Sequence, residues 1–139
     1  MSHKGSILVA EDDSGIRDII RERLRAAGYE TYFARTGVEA VQRILTFSPQ
    51  GVVLDINMPQ LDGFGVLETL RATRDAPRPA ILVLTARHAA DDVRRAVTLG
   101  ARDYLTKPFS EAQLLARVAR LMRPAIPPPP PPADRSVIL

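Results

Sequence analysis

Five short apolar runs alternate with five amphipathic segments between residues 6 and 122, and this rhythm leaves few architectures open. The runs are "SILVA" (6–10), "YETYFA" (29–34), "GVVLDI" (51–56), "PAILVLTA" (79–86) and "DYLT" (103–106). Between and after them lie segments of helical spacing at 14–28, 36–47, 63–73, 89–100 and 110–122. In the first of these, Ile16, Ile19, Ile20 and Leu24 fall on one helical face. Near-continuous apolar strands separated by amphipathic helices predict an α/β fold, a doubly wound parallel sheet with helices on both faces. Right-handed crossovers then bring every strand's C-terminal end to one edge, where ligands of such sheets bind.

Local signals mark the helix ends. Gly28 and Gly100 stand where a left-handed residue closes a helix. Thr36 and Ser110 are N-cap candidates, and Glu39 is spaced to complete a capping box with Thr36. Asp13 reads as the approach to the first helix.

The chain of 139 residues suits one domain, here 1–122, followed by "RPAIPPPPPPADRSVIL" (123–139). The unbroken proline run cannot enter a helix or a sheet interior, and reads as a disordered, extended linker or tail. With no cysteine, neither a disulfide framework nor a Cys-based metal site is available. No apolar run approaches the ~20 residues of a membrane span, and the N-terminus has no secretory apolar core, so a cytoplasmic, non-membrane protein is expected. The net charge is +3. Its densest basic pieces, "RDIIRERLR" (17–25) and "RRAV" (94–97), read as polar helix faces, and nucleic acid is not an expected ligand of this domain.

The strand ends carry the chemistry. The first run stops at Glu11, Asp12 and Asp13, the third delivers Asp55, the fourth Thr85 and Ala86, the fifth Thr106, Lys107 and Pro108. Carboxylates crowded at a buried edge repel and need positive charge, and one lysine leaves a deficit. A hard divalent cation, Mg²⁺, fits such oxygen ligands. Zinc does not, because the only histidines are His3 and His88. Carboxylates, Mg²⁺, a hydroxyl and a lysine together suit phosphoryl transfer, with Asp55 as the nucleophile that ends the central strand.

These pieces resemble a known family. "ILVAEDD", "VVLDINMPQLDGFGVL", "ILVLTA" and "GARDYLTKPF", in this order and at these separations, are similar to the receiver domain of two-component response regulators over roughly residues 5–122. The resemblance implies a flavodoxin-like (βα)5 sheet with strand order 2-1-3-4-5, an order for which a family member is a standing example. It implies that Asp55 takes a phosphoryl group from a phosphohistidine of a sensor histidine kinase or phosphotransfer protein. It also implies that Asp12, Asp55 and the Asn57 carbonyl bind Mg²⁺, with Glu11 acting through a metal-bound water. Lys107, Thr85 and the Ala86 N–H would hold phosphoryl oxygens. Lys107–Pro108 resembles the family's cis peptide. Thr85 and Tyr104 would form a switch that reshapes the 88–122 face, although by composition Tyr104 is a core-edge aromatic.

The segment "KPFSEAQLLARVARLM" looks like the end of receivers joined to winged-helix DNA-binding domains. The implied partners are therefore an output domain beyond the linker and a phosphorylation-dependent homodimer. Val93 and Gln113 are neutral where that group carries charge, and Arg102 is basic where an acid is usual. That group's particular dimer is not expected. Enzymatic turnover is not expected beyond assistance to its own phosphorylation and dephosphorylation. Two other readings stay open: a phosphorylation-independent pseudo-receiver that serves as an interaction module, and an aspartate-nucleophile phosphatase. The second lacks an aspartate two positions after Asp55, where Asn57 stands.

Overall fold

The computed structural model describes residues 4–86 and 90–123. The chain order is β1 (Ser6–Ala10), α1 (Ser14–Ala26), β2 (Glu30–Ala34), α2 (Gly37–Phe47), β3 (Gly51–Asp55), α3 (Gly63–Ala72), β4 (Ala80–Thr85), α4 (Ala90–Thr98), β5 (Asp103–Thr106) and α5 (Glu111–Leu121). Every neighbouring pair of strands is parallel, and the sheet order is β2-β1-β3-β4-β5, the order the family resemblance implies. The elements are up to two residues shorter at each end than the apolar patterns suggest, because caps and turns take the terminal residues.

Alternation along each strand builds two cores. Leu8, Val52, Leu54, Ile81 and Val83 face the layer of α2, α3 and α4, joined by Ile44, Phe64, Leu67 and Ala96. Ile7, Val9, Val53, Leu82 and Leu84 face α1 and α5, joined by Ile20, Leu24, Leu114 and Val118. Successive side chains of a strand point to opposite faces, so both sets of positions must be apolar when helices cover both. Central β3 is buried along its whole length. Each fully buried Leu, Ile or Val contributes on the order of 1.5–3 kcal/mol.

The helix ends follow local chemistry. Asp13 caps α1, its carboxylate accepting the Ile16 N–H at 3.0 Å. Gly28 and Gly100 take φ of +102° and +110°, in the left-handed region that favours glycine. Ser110 caps α5, and Gln113 returns a side-chain bond to the Ser110 N–H, a complete capping box. The box expected at α2 is only half present. The Thr36 hydroxyl accepts the Glu39 N–H, but the Glu39 carboxylate turns to Arg43, one helical turn on. An opposite charge at i+4 outcompetes a neutral N–H for a carboxylate.

His3, Arg87, His88 and, from residue 124 on, the proline-rich segment lie outside the described residues.

Candidate functional site

Strand register sets the site. Ala10 lies opposite Ala34 on one side and Leu54 on the other, Asp55 opposite Leu84, and Thr85 opposite Thr106. The residues that follow Ala10 and Thr106, and those at the ends of β3 and β4, therefore share one edge.

Glu11 leaves β1 fixed at both main-chain groups. Its N–H donates to the Ala34 carbonyl at 3.1 Å, and its carbonyl accepts from Arg17 Nη1 at 3.1 Å. Its carboxylate is buried, at 1% residue exposure, as is that of Asp55 at 3%. Between them stands the Lys107 ammonium, 2.9 Å from Glu11 Oε2 and 3.2 Å from Asp55 Oδ2. Asp12 is exposed, yet one oxygen each of Glu11, Asp12 and Asp55 fall within 4.8 Å of one another. The free oxygens are oriented by the chain itself: the Asp13 N–H donates to Glu11 Oε1 and the Asn57 N–H to Asp55 Oδ1, each at 3.3 Å.

The electrostatics follow from burial. Desolvation pushes the Glu11 carboxyl up to about 7, and the neighbouring Asp55 adds to the shift while Lys107 opposes it. For Lys107, burial pulls the pKa down, but the Glu11 hydrogen bond and the Asp55 charge outweigh it, and the ammonium is held above its ordinary value. Glu11 is thus a carboxylate whose charge one lysine does not balance. A hard divalent cation beside it would restore that balance, and three clustered oxygen donors without a nitrogen or sulfur ligand suit Mg²⁺.

The other predicted residues are near but differ in setting. Thr85 is buried at the end of β4, and its carbonyl accepts the Lys107 N–H at 2.7 Å. The Lys107–Pro108 bond is cis. Asn57 is exposed and stands two residues beyond Asp55. Tyr104 is 39% exposed, which is not the core-edge position its composition suggests. It borders a cavity of about 430 Å³ with Ala90, Val93, Gln113 and Arg117. Beside it, Asp103 is bracketed by Arg117 at 2.9 Å and by Arg120, both from α5. Arg102 turns away from this face and donates to the Leu121 carbonyl at 3.1 Å.

Three contributors were not legible as site residues. Gly63 donates its N–H to the Ile56 carbonyl at 2.8 Å, and a Cβ on it would meet the Asp55 carbonyl oxygen at 2.8 Å. Gly37 touches the Leu61 carbonyl so closely that any Cβ would collide with it, which pins the loop carrying Asn57. Arg17 anchors the main chain of Glu11 from a helical position indistinguishable in sequence from its basic neighbours. Gly63 carried a signal, since "DG" at a helix start marks a tight approach; Gly37, which follows Thr36, and Arg17 carried none.

A family model described as the response regulator receiver domain matches residues 7–119. Response regulator MprA of Mycobacterium sp. (strain KMS) is 44% identical over 121 residues, 87% of this chain and 52% of that protein. Response regulator MprA of Mycobacterium ulcerans (strain Agy99) is 44% identical over 117 residues, 84% of this chain and 50% of that one. The chain spans about half the length of the curated relatives it matches. Among solved structures, the Francisella response regulator 1452 receiver domain aligns with a TM-score of 0.79 at 34% identity, over 85% of this chain and 96% of that one. The receiver domain of a response regulator from Bermanella marisrubri aligns at 0.78 and 36% identity, over 88% and 100%.

Proposed function

The chain belongs to the response regulator receiver family of two-component systems, and on that premise we propose that it is a phosphorylation switch whose phosphoacceptor is Asp55. One observation carries the reading: the Asp55 and Glu11 carboxylates share the Lys107 ammonium at 3.2 and 2.9 Å, with Asp12 beside them. A buried carboxylate whose second oxygen meets only a backbone N–H, a lysine aimed at it and acids grouped for a cation suit in-line phosphoryl transfer.

In this reading an Asp55 oxygen attacks the phosphorus of a partner kinase's phosphohistidine. The O–P bond forms as the P–N bond breaks, and the imidazole, protonated on its other nitrogen, departs neutral with the bonding pair. Lys107 moves from the carboxylate to a phosphoryl oxygen. The Thr85 hydroxyl and the Ala86 N–H take the others. Asp12, Asp55 and the Asn57 carbonyl would hold Mg²⁺, with Glu11 acting through a bound water, and the ion would supply positive charge to offset that of the phosphoryl group. Phosphorylation draws Thr85 inward, Tyr104 follows from its exposed position, and the face formed by α4, β5 and α5 changes shape.

The proposal extends to a receiver over residues 1–122, with 123–139 linking to an output domain or tail. The roughly doubled length of the relatives supports this. No described helix is long and apolar enough to cross a membrane, in keeping with a cytoplasmic setting.

The test is thermal unfolding with Mg²⁺ alone and with Mg²⁺ plus beryllofluoride, a mimic of the phosphoryl group on a carboxylate. Wild type and Asp55→Ala run side by side. A ligand of the folded state at a hundredfold excess over its Kd stabilises by ~2.7 kcal/mol. Stabilisation by the mimic in wild type and not in Asp55→Ala is the expected result. Equal responses in both proteins, or none, would overturn the assignment and favour a phosphorylation-independent interaction module.

A further inference from the structure

Away from the acid pocket, at the β2 edge of the sheet, four arginines surround one aromatic ring. The guanidinium carbons of Arg17, Arg21, Arg35 and Arg43 lie 5.2, 4.7, 5.6 and 5.5 Å from the centroid of Phe33. They come from three places in the chain: α1, the turn after β2, and α2. One cation over a ring is common, and is attracted by the ring's quadrupole. Four cations around one ring also repel each other, and that repulsion needs an opposing charge.

Among the described residues the opposing charge is incomplete. Arg17 is only 9% exposed and forms no ion pair; its one hydrogen bond goes from Nη1 to the neutral carbonyl of Glu11. Its Nε is buried without a partner, as is the Nε of Arg21. Arg21 and Arg35 make no hydrogen bond or ion pair among the described residues. Acids close by are Asp18, which favours the charged Arg21, Glu22, which lines one cavity with Arg21 and Asp18, and Glu39, which reaches Arg43 at 3.4 Å. Burial and then Arg25 nonetheless hold Arg21 below its ordinary pKa. A nine-tenths buried cation without a counter-charge is rare, because desolvation is costly unless an anion offsets it.

We propose that the arginine cage around Phe33 is a binding site for a small phosphate-bearing ligand with at least two negative charges. A lone carboxylate accepts one guanidinium fork and carries one charge, which matches one arginine. A phosphate or diphosphate offers oxygens in several directions to donors from three elements at once. Packing around one ring restrains the guanidinium groups, so less side-chain entropy is lost when the ligand binds. The site is distinct from the acid pocket but joined to it through the Arg17 bond to the Glu11 carbonyl.

The probe is inorganic pyrophosphate, titrated calorimetrically into the full chain without divalent metal, with chloride matching the ionic strength. The expected result is saturable binding that Arg21→Gln and Arg35→Gln each weaken by roughly tenfold, as loss of one charge-assisted pair predicts. Asp55→Ala should bind as wild type does. Arg43→Gln, on a separate helix, repeats the test should either variant fold poorly. The absence of saturable binding, unchanged affinity in the arginine variants, or loss of binding in Asp55→Ala would each overturn the proposal. The response of the arginine variants to Mg²⁺ and beryllofluoride reports the acid pocket separately, so failure of one reading is not failure of the other.

Discussion

Gly63 rests against the carbonyl of Asp55: a Cβ on it would come within 2.8 Å of that oxygen and of the Ile56 α-carbon. Both neighbours are backbone, so neither can swing aside. Gly63→Ala should therefore destabilise the fold by about 1–3 kcal/mol, the usual range for forced overpacking. It should also weaken the beryllofluoride response by shifting the phosphoacceptor. Urea unfolding with and without the mimic measures both, and a variant as stable and responsive as wild type would refute the contact's importance.

Lys107→Met should be strongly pH-dependent in its effect. Removing the ammonium strands two buried carboxylates, and breaking a buried pair in this way costs on the order of 3–5 kcal/mol. Protonation of Glu11, whose carboxyl burial already pushes up to about 7, relieves the stranded charge. Unfolding free energies at pH 8 and pH 5 should thus show a large loss at the higher value and a small one at the lower. An equal loss at both would mean that the lysine contributes packing and not charge.

Glu11 gives the metal-free protein a slope of its own. Its folded pKa is raised from 4.5 to about 7, mainly by burial. Between these values the native state holds a proton that the unfolded chain has released. Its contribution to stability is full below about pH 4.5 and is lost as pH rises through 7. The linked change is of the order of a few kcal/mol. Glu11→Gln should flatten the metal-free profile across this window, and Mg²⁺ should stabilise wild type more at pH 8 than at pH 6. A Glu11→Gln profile that keeps the wild-type slope would assign the titration elsewhere.

Tyr104 offers a direct view of the switch. The chain contains no tryptophan, so Tyr104→Trp is a single reporter at a position that is 39% exposed in the native tyrosine. Quenching of its fluorescence by acrylamide should fall when Mg²⁺ and beryllofluoride are added. Unchanged quenching, in a variant that still gains thermal stability from the mimic, would remove Tyr104 from the switch.

The sheet was legible because burial on both faces leaves no freedom in the pattern. Val52, Val53 and Leu54 must all be apolar whichever way each points, and a run of that kind before an acid reads as a central strand ending at a site. Glu11, Asp12, Asp55 and Lys107 were legible because parallel strands deliver their ends together. What escaped depended on partners distant in sequence. The half-formed cap at Thr36 turned on which of two donors Glu39 prefers. Arg17 and its neighbours looked like a solvated face, and only the fold brings Arg35 and Arg43 around the same ring. The exposure of Tyr104 reflects β5 lying at the sheet's margin, where one more residue of alternation decides inward or outward.

The register of the sheet has a consequence for how such a protein can diversify. Asp55 is paired with Leu84 and Thr85 with Thr106, each within strands locked by cores on both faces. A slip of one residue would turn every side chain of a strand to the wrong layer, so the reacting groups cannot drift without unfolding the sheet. The outward faces of the helices are under no such constraint. Descendants of one ancestor can rewrite whom they meet while leaving untouched what they do on meeting, and the vocabulary of recognition can change without altering the grammar of the reaction.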